Sequence, residues 1–213
     1  MLPSYYTVKG YGEYEYVIQK SRFITYVDRV ASEEEAHAFI EQIKKRHHDA
    51  AHNCSAYMIG ENNLIQKAND DGEPSGTAGV PMLDVLKKRD LKDTVVVVTR
   101  YFGGIKLGAG GLIRAYGTAV SEGVKAAGIV ERRLAGVYSA AFSYSYLGKV
   151  ENDIRSSRFL LKEMAYLEQP TLYAYVVSGE EETFKNWIAD ITNGTATVNH
   201  EEDTYLEYPV ETG

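Results

Sequence analysis

The segment Thr94–Gly111 constrains the fold of this chain more than any other. It begins with the apolar run Val95–Val98, whose β-branched residues and short length are typical of a buried strand. A glycine-rich stretch, Gly103–Gly111, comes shortly after it, and apolar residues then recur at helical spacing as far as about Ala127. The sequence therefore predicts a buried strand over Thr94–Phe102, a glycine-rich loop and a helix.

The rest of the first 130 residues contains further strands and two more helices. Ser32 is followed three residues later by Glu35, which is the capping box that starts a helix, and the apolar spacing continues until about His47. Pro81 fits the first turn of another helix, because its fixed φ suits that position. Strand-like composition predicts four more strands, at 14–19, 23–30, 56–59 and 64–67, with the last two forming a hairpin.

A second unit begins near Gly136. Its predicted order is strand, helix, strand, strand, helix, strand, which is the ferredoxin-like βαββαβ pattern. The segments are 137–144, 147–158, 160–166, 171–177 and 180–191, followed by two short strands at 195–198 and 204–208. We therefore expect an α+β protein with two domains, residues 1–130 and 136–213, that meet within 128–136.

Charge is distributed unevenly between these two predicted domains. Residues 131–213 carry 14 acidic and 7 basic residues, which accounts for the whole net charge of −7. An acidic surface repels a phosphate backbone, so the second domain suits a protein partner or a positioning role. The main basic concentration is 85–115, with 7 basic and 2 acidic residues. This basic segment could bind phosphate groups, or it could simply be a solvated loop.

Composition also excludes some classes of protein. No apolar run approaches the roughly 18 residues that a membrane-spanning helix needs. Cys54 is the only cysteine, so no disulfide can form within the chain, which favours a reducing compartment. The first ten residues lack the apolar core of a secretory signal. We expect a soluble cytoplasmic protein without membrane contact.

The most unusual segment is the acidic loop, Asp70–Gly79. Its three carboxylates lie within four residues and repel one another unless solvent, a cation or a basic partner relieves the repulsion. Such oxygens could bind a divalent metal, although the spacing is not that of an EF-hand; a recognition loop and a purely structural turn are the alternatives. We expect an exposed, metal-free loop in which Thr77 caps the following helix. The candidate recognition residues are Asp71, Gly72, Glu73, Pro74, Ser75, Gly76 and Thr77.

The glycine-rich loop carries the candidate anion site. Glycines let a ligand approach the backbone, and the start of the next helix supplies unpaired N–H donors with partial positive charge. No Gly-Lys-Ser/Thr closes the loop, so it is not a Walker loop, and its position is not that of a dinucleotide fingerprint. The glycines could serve phosphate binding, or they could only allow tight turns and close packing of the helix on the sheet. The candidate residues are Arg100, Gly103, Gly104, Lys106, Gly108, Gly110, Gly111 and Arg114.

The histidines and the cysteine give no catalytic or metal-binding pattern. His47, His48 and His52, with Cys54, are metal-ligand types, but their spacing matches no recognised zinc site. We expect His52 to donate a hydrogen bond to a carbonyl or carboxylate in the core, and Cys54 to be a small buried hydrophobe. No Ser-His-Asp triad can be assigned, and we expect no cofactor.

Taken together, the motifs resemble those of the YigZ/IMPACT family, in particular its bacterial two-domain YigZ/YvyE-like branch. The resemblance covers about residues 5–130 strongly and 135–208 more loosely. It implies a first domain like ribosomal protein S5 domain 2 and elongation factor G domain IV. The second domain would be ferredoxin-like, similar to elongation factor G domain V. The matching residues are Lys20-Ser21-Arg22-Phe23, the loop 71–79, Arg100-Tyr101-Phe102-Gly103-Gly104, Lys106-Leu107-Gly108, Gly110-Gly111-Leu112 and Arg114-Ala115-Tyr116.

The resemblance also implies a class of function. Eukaryotic IMPACT, which carries a further N-terminal domain for partner binding, regulates translation. Our leading hypothesis is a non-enzymatic, translation-linked protein that contacts RNA or the ribosome through Arg22, Arg100, Lys106 and Arg114. The rival is an enzyme acting on a phosphorylated small molecule, with Asp70, Asp71 or Glu73 as base or metal ligand. A pure protein-interaction module is the third alternative.

Overall fold

The computed structural model describes residues 1–210 and divides into two compact units. We call Tyr5–Glu131 with residues 208–210 the first unit, and Met1–Ser4 with Arg132–Glu207 the second unit. Residues 211–213, the end of the predicted second domain, lie outside the described part. Both units combine strands with helices, which confirms the predicted α+β class.

A five-stranded antiparallel sheet forms the centre of the first unit. The first six strands of the chain are β1 (Ser4–Val8), β2 (Gly12–Ile18), β3 (Ser21–Arg29), β4 (His52–Ile59), β5 (Ile65–Asn69) and β6 (Thr94–Tyr101). The last five of these form the sheet in the order β2-β3-β6-β4-β5, with β4 and β5 as the predicted hairpin. The central strand β6 includes the fully buried run Val95–Val98, so the predicted buried strand is confirmed. Strand β1 is not among the predicted strands.

Three helices cover the two faces of this sheet. They are α1 (Glu33–Arg46), α2 (Gly79–Lys88) and α3 (Gly108–Ala127). Ile40 of α1 packs with Ile24 and Val97 on one face, whereas α2 and α3 pack on the other face, against Phe23 and Val98. Because successive side chains of a strand alternate between faces, the apolar core is divided by the sheet into two layers.

Helix α1 begins where its capping box predicts. The Ser32 hydroxyl accepts a hydrogen bond from the Glu35 N–H at 3.2 Å. The Glu35 carboxylate in turn accepts from the Ala31 N–H at 2.7 Å. The first bond satisfies an amide donor that the start of a helix would otherwise leave unpaired, and the second fixes the residue that precedes the cap.

The second unit has the predicted element order. Its elements are β7 (Ile129–Ala141), α4 (Leu147–Ser156), β8 (Leu160–Tyr166), β9 (Pro170–Val177), α5 (Glu181–Thr192) and β10 (Thr197–Val210). Its sheet includes β7, β9 and β8 in that order, and β10 pairs with β7. The helices bury Ile154 and Phe184 against Leu172 of β9. The two short strands predicted at the end are wrong: one long strand, β10, spans both. No helix within residues 1–210 is long and apolar enough to cross a membrane.

Candidate functional site

Asp70 caps the start of α2 from the other end of the acidic loop. Its Oδ1 accepts hydrogen bonds from Ala78 N–H at 3.1 Å and Gly79 N–H at 2.8 Å, and its Oδ2 accepts from Gly76 N–H at 2.8 Å. Burial alone would raise the pKa of the Asp70 carboxyl, but these three amide donors hold the pKa below its ordinary value. The prediction that Thr77 caps this helix is wrong, because the Thr77 hydroxyl donates to the Pro74 carbonyl at 2.6 Å.

Asp71 connects the acidic loop to α1 by an ion pair and to the sheet by hydrogen bonds. Its Oδ1 lies 3.0 Å from Lys44 Nζ on α1, and its Oδ2 accepts from the Asn53 N–H at 2.7 Å. Its backbone carbonyl accepts from His52 Nδ1 at 2.8 Å, which confirms the expected donor role of His52. Since a carbonyl can only accept, His52 Nδ1 carries a hydrogen.

Glu73 is the buried acid of the loop. Only 7% of Glu73 and 5% of Thr77 are exposed, so the prediction of an exposed loop is wrong at these two positions. Glu73 Oε1 lies 2.6 Å from Arg100 Nη1 and accepts from the Tyr116 hydroxyl at 2.8 Å. Its Oε2 is 3.7 Å from His52 Nε2. A buried charge needs such a partner, and Arg100 supplies it.

The three acids therefore have protein partners rather than a shared ligand. Asp70 is bonded to backbone amides, Asp71 to Lys44 and Glu73 to Arg100. Within residues 1–210, no group of three or more histidine, cysteine, aspartate or glutamate side chains is arranged to hold a metal ion. The mutual repulsion predicted for this loop is relieved by separate donors, one for each carboxylate.

Arg100 and Arg22 lie on opposite faces of the sheet. In the β3–β6 pair, Phe23 stands opposite Arg100 and Arg22 stands opposite Tyr101, and opposite residues share a face. Arg22 is exposed and pairs with Glu15, with both guanidinium–carboxylate contacts at 3.0 Å. Arg22 therefore lies on the other side of the sheet from Arg100, and its role as an RNA or ribosome contact stays a prediction.

Arg100 is buried, with 5% of the residue exposed. Its guanidinium stacks over the rings of Phe23 and Phe102 at 5.4 and 5.5 Å. Nη1 is bonded to Glu73, but Nε has no hydrogen-bond partner among the described residues. A buried donor without an acceptor is uncommon in proteins and costs free energy.

A pocket of about 330 Å³ joins the two loops that the sequence singles out. Arg100 and Glu73 line it together with residues of the glycine-rich loop and the first turn of α3. Most of the remaining wall is apolar. The full lining consists of Glu73, Pro74, Arg100, Phe102, Lys106, Leu107, Gly108, Ala109 and Leu112.

The glycines of this site serve different purposes. A Cβ on Gly103 would stand 2.1 Å from the Lys20 carbonyl carbon, so Gly103 is required by close packing against the β2–β3 turn. Gly104 and Gly108 have positive φ angles of 85° and 69°, which favour glycine. Gly110 is exposed, and a Cβ placed on it would meet only Arg114 Nη1, at 3.8 Å, among the described residues. Packing therefore explains Gly103 but not Gly110.

The start of α3 is open and basic. Leu107 is the N-cap and has no polar side chain to bond the first amides, and the first turn contains no acidic residue. Lys106 and Arg114 are exposed, and neither forms an ion pair within residues 1–210. The Arg114 contact with Gly110 shows that its guanidinium folds back toward the helix start. The N-terminus of α3 thus combines unpaired N–H donors, the positive end of the helix dipole and two nearby cations.

Cys54 is fully buried beside the Glu73 cluster. Its thiol lies 3.0 Å from the Asp70 carbonyl and 3.3 Å from the Tyr116 hydroxyl. Burial, reinforced by Glu73, Asp71 and Asp70, raises the pKa of the Cys54 thiol to about 12, although the Tyr116 bond opposes the shift. The thiol is therefore protonated near neutral pH, as a small hydrophobic role requires.

Sequence reasoning misses the pocket wall and its buried polar floor. Phe102, Leu107 and Leu112 are ordinary apolar residues in the sequence, and helical spacing places Tyr116 only on the inner face of its helix. One signal is available: Arg100 follows the apolar run Val95–Val98, and a cation in a buried strand requires an acidic partner.

The fold and the site define a two-unit α+β protein with a polar-floored pocket in its first unit. The family model described as Impact N-terminal domain matches residues 19–124, which contain both loops of the pocket. A second model, described as Domain of unknown function (DUF1949), matches residues 141–195.

Whole-chain relatives identify the family. IMPACT family member YvyE of Bacillus subtilis (strain 168) is 60% identical over 210 residues, which cover 99% of this chain and 97% of that protein. YigZ of Escherichia coli (strain K12) is 44% identical over 110 residues, 51% of this chain and 54% of that protein. A solved structure named "Crystal structure of an hypothetical protein" covers 95% of this chain and 99% of its own, with a TM-score of 0.60 and 29% identity. The chain belongs to the IMPACT family.

Proposed function

We propose that this protein is a non-enzymatic, translation-linked member of its family, and that its first unit binds phosphate groups of RNA or of the ribosome. One observation carries the proposal: Lys106 and the uncapped start of α3 line one pocket, and Arg114 turns toward the same helix end. Backbone N–H donors at a helix start, reinforced by full positive charges, are a common arrangement for phosphate. The resemblance to eukaryotic IMPACT supports the link to translation.

The local charge balance supports the same ligand. The acidic loop would oppose an anion if its carboxylates were free, but Asp71 is paired with Lys44 and Glu73 with Arg100. Lys106 and Arg114 keep their charge without such a partner in the described chain. Two cations without an acidic partner in the described chain therefore lie beside the pocket, although the chain as a whole carries −7.

An enzyme acting on a phosphorylated small molecule is the second candidate. The observation that favours it is that Glu73, a buried carboxylate, lines the same pocket as Lys106. In that case Glu73 would be the candidate general base, whereas Asp70 and Asp71 are bonded elsewhere. Copurification separates the two: ribosomes or RNA released by high salt support the first candidate, and a tightly held metabolite supports the second.

The direct test is a salt series of RNA and ribosome binding. Lys106→Ala should weaken binding at every salt concentration and reduce the slope of log affinity against log salt by about one, because one phosphate contact is lost. Lys88→Ala is the matched control, since Lys88 is an exposed lysine of α2 that does not line the pocket. If Lys106→Ala retains the affinity and the slope of the wild type, the proposed contact is wrong.

A further inference from the structure

We propose that the pocket accepts a single unstacked nucleotide base, so that RNA is bound as a single strand with one base inserted between Phe102 and the start of α3. This inference rests on the proposed function and makes it more specific. Phosphate binding alone would not need a pocket behind the helix start. The shape, the apolar wall and the polar floor of this pocket therefore require a separate explanation.

The size and the wall of the pocket suit one base. Its volume of about 330 Å³ is at the lower end of the roughly 300–1,000 Å³ typical of small-molecule sites. Pro74, Leu107 and Leu112 provide apolar surface, and Phe102 leaves 52% of its area exposed. Unstacked bases commonly bind on aromatic side chains, because every base has a flat apolar face.

The floor of the pocket is polar. Arg100 and Glu73 both line it and form an ion pair with each other at 2.6 Å. The edge of any base carries donors and acceptors that can face such a pair, whereas a purely apolar ligand would cover it without a hydrogen bond. The floor therefore favours a base without specifying which one.

The phosphate position follows from the same lining. Lys106, Gly108 and Ala109 border the pocket at the beginning of α3, where the backbone N–H donors are open. A nucleotide with its base on the Arg100 side would therefore have its phosphate beside Lys106. A double helix keeps its bases stacked inside and can offer the helix start only its backbone. The arrangement thus predicts discrimination between single-stranded and duplex RNA.

The experiment compares a 12-nucleotide oligouridine with a 12-base-pair RNA duplex at fixed salt. The wild type should bind the single strand at least roughly tenfold more tightly, because only a single strand can insert a base. Ala109→Phe should fill the pocket without changing the charge, and should lower single-strand affinity about tenfold with an unchanged salt slope. Ala126→Phe, at an exposed position near the other end of α3, is the control and should bind as the wild type does.

A second variant covers the case in which Ala109→Phe does not fold. Phe102 is half exposed, so Phe102→Ala leaves the core intact, and loss of one stacking contact should lower single-strand affinity roughly tenfold. Equal binding of duplex and single strand, or wild-type affinity in folded Ala109→Phe and Phe102→Ala, would overturn the inference. If Lys106→Ala still weakens binding in that case, phosphate binding stands and only the base pocket fails. If Lys106→Ala also has no effect, the proposed function fails as well.

Discussion

Replacing Glu73 by glutamine should destabilise the first unit strongly. The change removes one charge of a buried ion pair, in which Glu73 and Arg100 have side-chain exposures of 3% and 6%. The new side chain keeps one oxygen for the Tyr116 hydroxyl or for Arg100, but its NH₂ group replaces a carboxylate oxygen with a donor. Arg100 would then be a buried cation without a counter-charge.

The size of the effect follows from this burial. Removing one partner of a buried ion pair typically costs about 3–5 kcal/mol, and the oxygen that the amide retains places the expected loss near the lower end, about 3 kcal/mol. With a urea m-value of about 1–3 kcal/mol per molar, the unfolding midpoint should fall by roughly 1–3 M. Arg100→Met should cost a similar amount, because it leaves the Glu73 charge with only the Tyr116 donor.

The assay is a double-mutant cycle measured by urea unfolding with far-UV circular dichroism. Trp187, the only tryptophan, belongs to the second unit, so its fluorescence is not a readout of the first. The double variant should be more stable than the sum of the single losses predicts, because it buries no unpaired charge. Glu15→Gln, in the exposed Arg22–Glu15 pair, is the control and should shift the midpoint far less. Strict additivity, or a Glu73→Gln shift as small as the control, would refute the reasoning.

Two further predictions concern the neighbouring groups. Asp70 has a lowered pKa in the folded protein, so it stabilises the fold above its unfolded pKa of about 3.9, and this contribution disappears as pH falls through the folded value. Asp70→Asn should therefore cost about 1–2 kcal/mol at pH 7, as loss of a helix cap does, and the gap to wild type should narrow below about pH 4; urea midpoints that differ equally at both pH values contradict this. The Cys54 thiol has a pKa raised to about 12 and is fully buried, so iodoacetamide at pH 8 should alkylate it slowly in the native protein and rapidly in denaturing urea. Equally fast labelling of the native protein, followed by mass spectrometry, would contradict that assignment.

The elements that the sequence predicts well are those with local signals. The capping box of α1 and the buried run of β6 depend on residues close together in the chain, and both are confirmed. The end of α3 at Ala127 also agrees, because Gly128 terminates the helix with a positive φ of 74°. The comparison with ribosomal protein S5 and the ferredoxin-like name for the second unit stay predictions.

The site could be predicted only in part, because its decisive contacts join residues far apart in the sequence. Glu73 and Arg100 are 27 residues apart, as are Lys44 and Asp71. Nothing in the composition of the loop indicates which basic residue each acid meets. The separation of Arg22 from Arg100 depends on strand register, since a shift by one residue would exchange the faces. The sequence therefore predicts that both loops are functional, but it does not predict the pocket that they share.

The hydrogen bonds and ion pairs that hold the loop Asp70–Gly79 determine where the chain can accept inserted residues. Asp70 reaches forward to Gly79, Asp71 holds α1, and Glu73 holds Arg100, so the spacing of these three acids is fixed by partners on three different elements. One inserted residue between Asp71 and Glu73 would move one carboxylate away from its partner. The turn at 61–63 is exposed or half-exposed at each position and joins the edge hairpin. Affinity tags and epitope insertions should therefore be tolerated at 61–63 and rejected within 71–76, although both segments are loops on the same unit.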